Sequence, residues 1–479
     1  MSFSSLEIGK RALLAQKFGL DITGNNIANV NTPGYSRRTA ILAETDQIKQ
    51  RNNYLGTGVV VNKIQNFREE YYDKEVRNTL SKVSNFDNDA TYLRRLETVL
   101  AEPGETGINE IVSEFFNKFE ELTVKPESLP LRQNLLSIAT TLSDRLNYTA
   151  NSISDLRDEV KKKSNSIATN INSLLADISS LNSQILRSGN NATSESQSLI
   201  DERANRLEDL SKLIDTKIGT NDDGSVNVFV NGMNILTANV TSTVKISENI
   251  NQTTGERTLM LMKNDGENSG NIELEPQSGE LYSNLKLYNV TFDDLDSSAN
   301  FSVAKNINDF ASTLANKVNS FTKIGYGLND TPNSNPNRNF FEGNGAIINA
   351  FNIKVNQGLI NNPADLPLST IAGESGNSTI SSLIAKISID NNFLNNQNPI
   401  DYYTNLLGKI GNITKETENS LNSTKLIEQQ LNSQRESVMG VNMDEEAVNL
   451  IKFQKAFEAA SRIVNTSNEI LGTLVNLGR

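Results

Sequence analysis

The triplet Asp444, Glu445 and Glu446 places three carboxylates side by side, the residue type that a hydrolase uses as acid and base. Such an enzyme needs two carboxylates facing each other across a cleft, one with a raised proton affinity. Here the three stand in the first turn of a periodic apolar segment. The positive end of a helix favours the charged form there, by about 0.3–1 kcal/mol for each exposed group. They therefore read as charge placed to start a helix. The run Asn221-Asp222-Asp223-Gly224 is also acidic, but it lacks the spaced ligands and closing glutamate of a calcium loop. It reads as a hairpin turn. The basic run Lys161–Lys163 lies inside a helical pattern and reads as a solvated face.

The rest of the chemistry is bounded by what the 479 residues lack. There is no histidine, cysteine or tryptophan. Imidazole bases, Ser-His-Asp and Cys-His pairs, thiolate nucleophiles, disulfides and His or Cys metal sites are all excluded. Carboxylate, lysine and tyrosine chemistry stays formally open. No cofactor is indicated, and we read the chain as a non-enzyme. A net charge of −12 repels phosphate backbones, so nucleic acid is not an expected partner. No apolar stretch approaches the roughly 18 residues of a membrane helix, so membrane insertion is not expected. Lys10, Arg11 and Lys17 interrupt any signal-peptide core. Taken alone, that places the chain in the cytoplasm.

The elements behind these residues are mostly helical. Leu6, Leu13, Leu20 and Ile27 repeat every seven residues through 4–29, a coiled-coil seam. Asn31, Thr32, Pro33 and Gly34 then end the helix, because proline cannot continue it and glycine permits the turn. Residues 35–66 look extended, with a strand at 54–61. Helices are expected at 67–100, 107–122 and from Pro130 to about Arg187. About 58 residues would reach roughly 87 Å. Within it Ile167, Ile171, Leu174, Ile178, Leu181 and Ile185 alternate spacings of four and three, a coiled-coil or bundle signal. A helix at 196–215 precedes short alternating segments and turn residues at 216–289, which predict a small outer β domain. Helix returns at 293–324, residues 326–400 form Asn-rich loops with a few short elements, and helix resumes at 401–438. The last helix starts after Gly440. Met443, Leu450, Phe457, Val464 and Leu471 form one row of it. Phe453 and Phe457 read as seam residues. The fold class is mainly α with an inserted all-β domain. It is rod-like, with a long helical coiled-coil or bundle core from the N- and C-terminal segments. The domains are 1–66 with 440–479, 67–215 with 290–439, and 216–289.

Two amphipathic helices at opposite ends of the chain each need a partner. The first is near the length at which an isolated helix is marginal in water. Mutual pairing, together with equivalent helices of neighbouring subunits, satisfies both, and the ends should then be disordered in a free monomer. Packing of both onto the central bundle is the alternative.

The motif NNIANVNTPGYSRR at 25–38 resembles the signature of the rod, hook and hook-associated proteins of the bacterial flagellum. Asn25, Asn26, Ala28, Asn29, Asn31, Thr32, Gly34 and Tyr35 occupy matching positions, with Pro33 between them. Gly-Tyr-Ser-Arg at 34–37 is similar to the hook-associated branch, as is Gly-Val-Asn-Met-Asp-Glu-Glu at 440–446. SLIDERANRLEDLSKLIDTKIG at 198–219 and IKVNQGLINNPADLPLST at 353–370 are similar to it as well. The resemblance implies a structural subunit of the junction between hook and filament, without catalysis. It implies a ring of identical subunits lying between hook protein and a second junction protein. It also implies export through the flagellar type III apparatus with an uncleaved signal, and a cytoplasmic chaperone on the C-terminal helix. Location then becomes extracellular, on the flagellum. Alternatives are another axial protein, such as hook protein or flagellin, or a surface adhesin that uses 216–289.

Overall fold

The computed structural model describes residues 2–50, 53–100, 107–188, 194–252, 257–265, 270–293, 301–332, 337–345 and 347–477. Helix α1 (Ser2–Ala28) leads into strands β1 (Arg38–Glu44), β2 (Ile48–Gln50), β3 (Asn53–Leu55) and β4 (Val59–Asn66). Helices α2 (Glu70–Leu100), α3 (Ile108–Val124), α4 (Leu129–Arg187) and α5 (Ser194–Leu213) follow. Strands β5 (Lys217–Thr220), β6 (Val226–Val230), β7 (Met233–Thr237) and β8 (Val240–Thr241) form one antiparallel sheet in that order. Strands β9 (Thr243–Ile250), β10 (Arg257–Asn264) and β11 (Ile272–Leu274) form another, with β10 in the centre. The chain continues through α6 (Glu280–Lys286) and α7 (Val303–Thr322), then β12 (Phe341–Glu342), β13 (Lys354–Val355), α8 (Gln357–Asn361) and α9 (Thr379–Ala385). It ends with α10 (Pro399–Met439) and α11 (Met443–Leu477).

Pro130 sits in the first turn of α4, where a missing N–H costs nothing. Its 59 residues correspond to about 88 Å. One core gathers the second half of α2, α3, the first half of α4, α7, α9 and the start of α10. Phe115, Phe119, Phe340 and Phe341 meet there edge to face and tilted, with ring centres 4.8–5.9 Å apart. Residues 326–400 are expected to be loops with a few short elements, yet they supply Phe340, Phe341, Ala350, Ile353, Leu366 and Leu368 to this core. Their asparagines make the irregular backbone possible. Asn319 on α7 accepts from the N–H groups of Phe340 and Phe341 and donates to Phe341 O, holding three backbone groups where β12 begins. Arg132, 1% exposed, donates to the carbonyls of Pro126 and Leu366 at 2.7 Å and clamps the same region to α4. Burial pushes the pKa of this guanidinium down to about 10.

The second core refines the coiled-coil or bundle reading of α4. Ile167, Ile171, Leu175 and Ile178 are buried, but the cover is Leu207 and Leu210 of α5 together with Val226, Val228, Val230, Ile235 and Val244 of the two sheets. Leu175, not Leu174, is fully buried. A period of 3.5 says that a face is covered, not whether a helix or a sheet covers it. Asn182 and Asn172 pin the sheets to α4, donating to Val226 O and Ala238 O and to Val244 O. The β segment thus shares its core with α4 and α5. Its hairpins follow the expected turn chemistry. Asn231 and Gly232 take φ of 45° and 82°, the left-handed pair of a two-residue hairpin. At 221–224, Asp223 Oδ1 accepts from Ser225 N and Oγ, which makes the acidic run a turn.

The expected strand at 54–61 is displaced. Strand β4 runs from Val59 and pairs antiparallel with β1 from Arg38↔Asn66 to Glu44↔Val59. Gly58 at φ 112° separates it from β3 and rests against Ile8 and Arg11 of α1.

Candidate assembly site

The functional candidates gather where the two chain ends meet. Helices α1 and α11 pack antiparallel: Gly9 lies against Ile463 and Val464, Gly19 against Phe453, and Asn26 against Glu446. The seam differs from the predicted leucine row. Leu6, Leu13, Leu20 and Ile27 are only half-buried, whereas Gly9, Ala15, Gly19, Ile22 and Asn26 are buried. A Cβ on Gly19 would sit 2.6 Å from the Phe453 ring, and one on Gly9 would sit 2.8 Å from Val464. Small residues let the backbones approach and let the larger α11 side chains fill the gap. On α11, Leu450, Phe453, Phe457, Val464 and Leu471 are half-buried along this seam, with Glu446, Ala460 and Ser467 buried. Met443 is exposed. A different face of α11 leaves Val448, Ile451 and Ile470 exposed, and Ile463 at the edge of the seam is half exposed.

The asparagine motif ends α1 and turns the chain back. Asn25 Nδ2 donates to Asp21 O and Asn29 Nδ2 to Asn25 O, while Thr32 Oγ1 donates to Asn29 Oδ1. The two amides add side-chain bonds to carbonyls of the last turns of α1, and Asn25 O also accepts the Asn29 N–H at 3.0 Å. Ala28, Asn31, Thr32 and Pro33 are exposed. Gly34 takes φ 76°, and a Cβ there would collide with Asn205 of α5, whose Nδ2 reaches Pro33 O at 3.3 Å.

Asn26 is the hub. Its Nδ2 donates to Arg38 O at 2.9 Å and to Glu446 Oε2 at 3.0 Å, and its Oδ1 accepts from Tyr35 OH at 2.8 Å and Arg38 N at 3.2 Å. Every polar atom of the buried amide is used. Burial raises the pKa of the Tyr35 phenol, with Arg38 opposing and Asp201 and Glu446 adding to the rise, so it stays a neutral donor. The acidic triplet divides by role. Asp444 is exposed at the start of α11, where Asn442 Oδ1 caps the N–H of Asp444 and Glu445. Glu446 is 2% exposed and takes Arg37 Nε at 2.9 Å, while the more exposed Glu445 takes Arg37 Nη1 at 2.7 Å. Helix-end electrostatics accounts for Asp444, but Glu446 is a buried acceptor for the opposite end of the chain. The Arg37 backbone N–H also donates to Met439 O at 2.9 Å.

A second ionic layer, which the sequence reading did not single out, joins this turn to the helical body. Asp201 of α5 accepts from Ser36 Oγ at 2.8 Å, Arg38 Nη2 at 2.6 Å and Arg68 Nη1 at 2.8 Å. Arg68 also pairs with Asp73 at 2.6 Å; burial works against its charge, but Asp73 and Asp201 overcome that and raise its pKa. Arg435 of α10 pairs with Glu208 of α5. The signal was present as Ser36-Arg37-Arg38 inside the motif and Asp201 inside the 198–219 segment, but charge pairing across more than 160 positions leaves no local periodicity. Among the described residues, no group of His, Cys, Asp and Glu could hold a metal ion, and no helix is long and apolar enough to cross a membrane.

Paired chain ends locked by a polar turn onto a long helical body define a structural protein built through its termini. Comparison with known proteins makes that class specific. Residues 6–35 match the flagella basal body rod protein model and residues 433–477 the flagellar basal body rod FlgEFG protein C-terminal model. Residues 93–341 match the helical domain of flagellar hook-associated protein FlgK. The chain belongs to the FlgK family of flagellar hook-associated proteins. Membership sets the role as a structural one, at the junction between flagellar hook and filament. Flagellar hook-associated protein 1 of Bacillus subtilis (strain 168) is 24% identical, with 99% of this chain and 98% of the relative aligned. The protein of the same name from Escherichia coli (strain K12) is 23% identical over 97% and 98%. The flagellar hook junction protein FlgK from Burkholderia pseudomallei shares the fold, with TM-score 0.63 and 12% identity over 76% of this chain and all of that one (100%).

Proposed function

We propose that the paired ends α1 and α11 are the module through which copies of this chain build a ring at the hook–filament junction, on the outside of the cell. The observation that carries this reading is the Asn26–Glu446–Arg37 joint. It is buried, fully hydrogen-bonded and contributed by the two extremes of the chain, so the terminal unit forms only when both ends are present. The exposed Val448, Ile451 and Ile470 face of α11 supports contact with equivalent helices of neighbours, because an apolar helical stripe without a cover is unfavourable in water. The long α4 supports a rod-like body directed away from that ring. In this reading one side of the ring meets hook protein and the other meets a second junction protein. The chain leaves the cell through the flagellar type III apparatus with an uncleaved N-terminal signal, and a cytoplasmic chaperone shields α11 beforehand. Gly9, Ala15, Gly19 and Ile22 with Leu450, Phe453, Phe457, Val464 and Leu471 form the seam of that module, the half-buried Leu6, Leu13, Leu20 and Ile27 flank it and serve assembly with it, and the chain catalyses nothing.

The test is electron microscopy of a strain lacking the protein, with flagellin assayed in the medium. Bare hooks with unpolymerised flagellin outside the cell are expected. Intact filaments would sink the reading, and absent hooks would move the role to the rod or hook. Complementation with Glu446→Gln places the joint in that role if it leaves the strain without filaments while the protein remains soluble and folded.

A further inference from the structure

Beside the ionic layer lies a cavity of about 420 Å³, bounded by β4, α2, α5 and the first sheet. Its charges do not balance. Arg68 is matched by Asp73 and Asp201, Arg38 by Asp201, and Arg435 by Glu208. Two guanidinium groups on the cavity wall remain. Arg77 is 7% exposed and makes no hydrogen bond or ion pair with any described residue. Asp73 and Glu208 face it from α2 and α5, beyond contact distance and already engaged by Arg68 and Arg435, and Glu70, exposed on the cavity wall, is the remaining carboxylate that acts on it without a contact. Arg203, also 7% exposed, donates only to neutral oxygens among the described residues, Asn182 Oδ1 and Gly224 O, each at 2.8 Å. Lys63 stands exposed at the rim with no ion pair among the described residues.

A mostly buried guanidinium without an anion in contact is costly, since burial removes much of its hydration and neutral acceptors replace only part of it. The strain on the charged state is visible in both groups: burial lowers the pKa of Arg77, and burial followed by repulsion from Arg68 brings Arg203 down to about 10. A planar donor fork aimed into a cleft suits an oxyanion, which it can grip through two parallel bonds. The volume falls within the roughly 300–1,000 Å³ of small-molecule sites and exceeds what one monovalent ion needs.

We propose that this cavity binds a small multivalent oxyanion, phosphate or a polycarboxylate, with Arg77 as the anchor and Arg203 and Lys63 beside it. The ligand would touch β4, α2 and α5 together and so stiffen the connection between the terminal pair and the helical body.

The experiment is thermal unfolding of the full chain in phosphate, in citrate and in chloride at matched ionic strength. A saturable rise of about 2–5 °C is expected with the binding anion, because a ligand held only by the folded state stabilises it by mass action. Arg77→Gln should abolish the rise while melting no lower than the parent in chloride, since it removes an uncompensated buried charge. Lys63→Gln, on the surface, should shift the midpoint of the titration several-fold higher, and it carries the test should Arg77→Gln not fold. Phosphate acting without citrate, or the reverse, names the ligand within the class. Equal rises in the parent and both variants, or none in the parent, would overturn the proposal.

Discussion

Asn26 and Glu446 stand 420 positions apart in the chain and share a hydrogen bond of 3.0 Å, both almost wholly removed from solvent. The same amide holds the turn that follows α1 through Tyr35 and Arg38, so the terminal helix pair and the family motif are one structure. Asn26→Ala removes four hydrogen bonds and leaves a buried carboxylate with Arg37 as its remaining partner. We expect a loss of about 1–3 kcal/mol, confined to α1, α11 and the turn. Hydrogen exchange is the check. Amides of α1 should exchange at least tenfold faster while those of α3 and α7 keep their protection; unchanged α1 protection would contradict the role given to Asn26.

The close approach of α1 and α11 at Gly19 makes a reciprocal prediction. Gly19→Ala puts a methyl group against the Phe453 ring, and overpacking of this kind costs about 1–3 kcal/mol. Phe453→Ala should leave a gap and also destabilise. The double variant should be more stable than the sum of the two losses predicts, because each change relieves the other. A double-mutant cycle by chemical denaturation measures the coupling, and strict additivity would mean that the two residues do not meet.

How much of this could be read beforehand depends on whether a feature is local. The termini of α3, α4 and α10 emerged within a few residues, because proline, glycine and apolar period act over a turn or two of chain. The motif residues Asn25, Asn29 and Thr32 stand at and just beyond the end of α1, where the proline and glycine that follow placed the stop. Periodicity misplaced the seam, since Leu6, Leu13, Leu20 and Ile27 are larger and more apolar than Gly9 and Gly19, and hydrophobicity cannot see a close backbone approach. It likewise could not tell that sheets cover Ile167 and Ile171. Glu446 looked like its neighbours Asp444 and Glu445. Only the fold brings Arg37 and Asn26 to it and separates a buried acceptor from two more exposed helix-end charges.

Stability should respond to acid and be indifferent to pH near neutrality. Without histidine, no side chain has an ordinary pKa between about 5 and 8. Glu248 is held below its ordinary 4.5 by hydrogen bonds from Lys161 and Tyr288, and Asp390 below 3.8 by Lys317 and the Asn392 N–H. At Asp330 burial pushes upward but Arg338 overrides it. A carboxyl group with a depressed folded pKa binds fewer protons folded than unfolded. Its contribution is therefore present above the unfolded value and lost as pH falls through the folded one. The melting temperature should be level from about pH 6 to 8 and decline below pH 4.5. Glu248→Gln should shallow that decline. A transition near pH 6.5 would contradict this account.

Gly34 tests whether the turn after α1 is set by its backbone or by its surroundings. Its φ of 76° lies in the left-handed region, where an alanine costs about 1–2 kcal/mol. The added Cβ would also strike the amide of Asn205, which holds Pro33 O. Gly34→Ala should therefore destabilise by more than the backbone term alone. Asn205→Ala alone should cost little, because its bond to Pro33 is long and exposed. In the double variant the collision is gone and the backbone term remains, so stability should recover partly, to within about 1–2 kcal/mol of the parent. Melting of the four proteins measures the two parts separately. Full recovery would mean that the conformation of Gly34 is free, and no recovery would mean that Asn205 is not what the turn rests on.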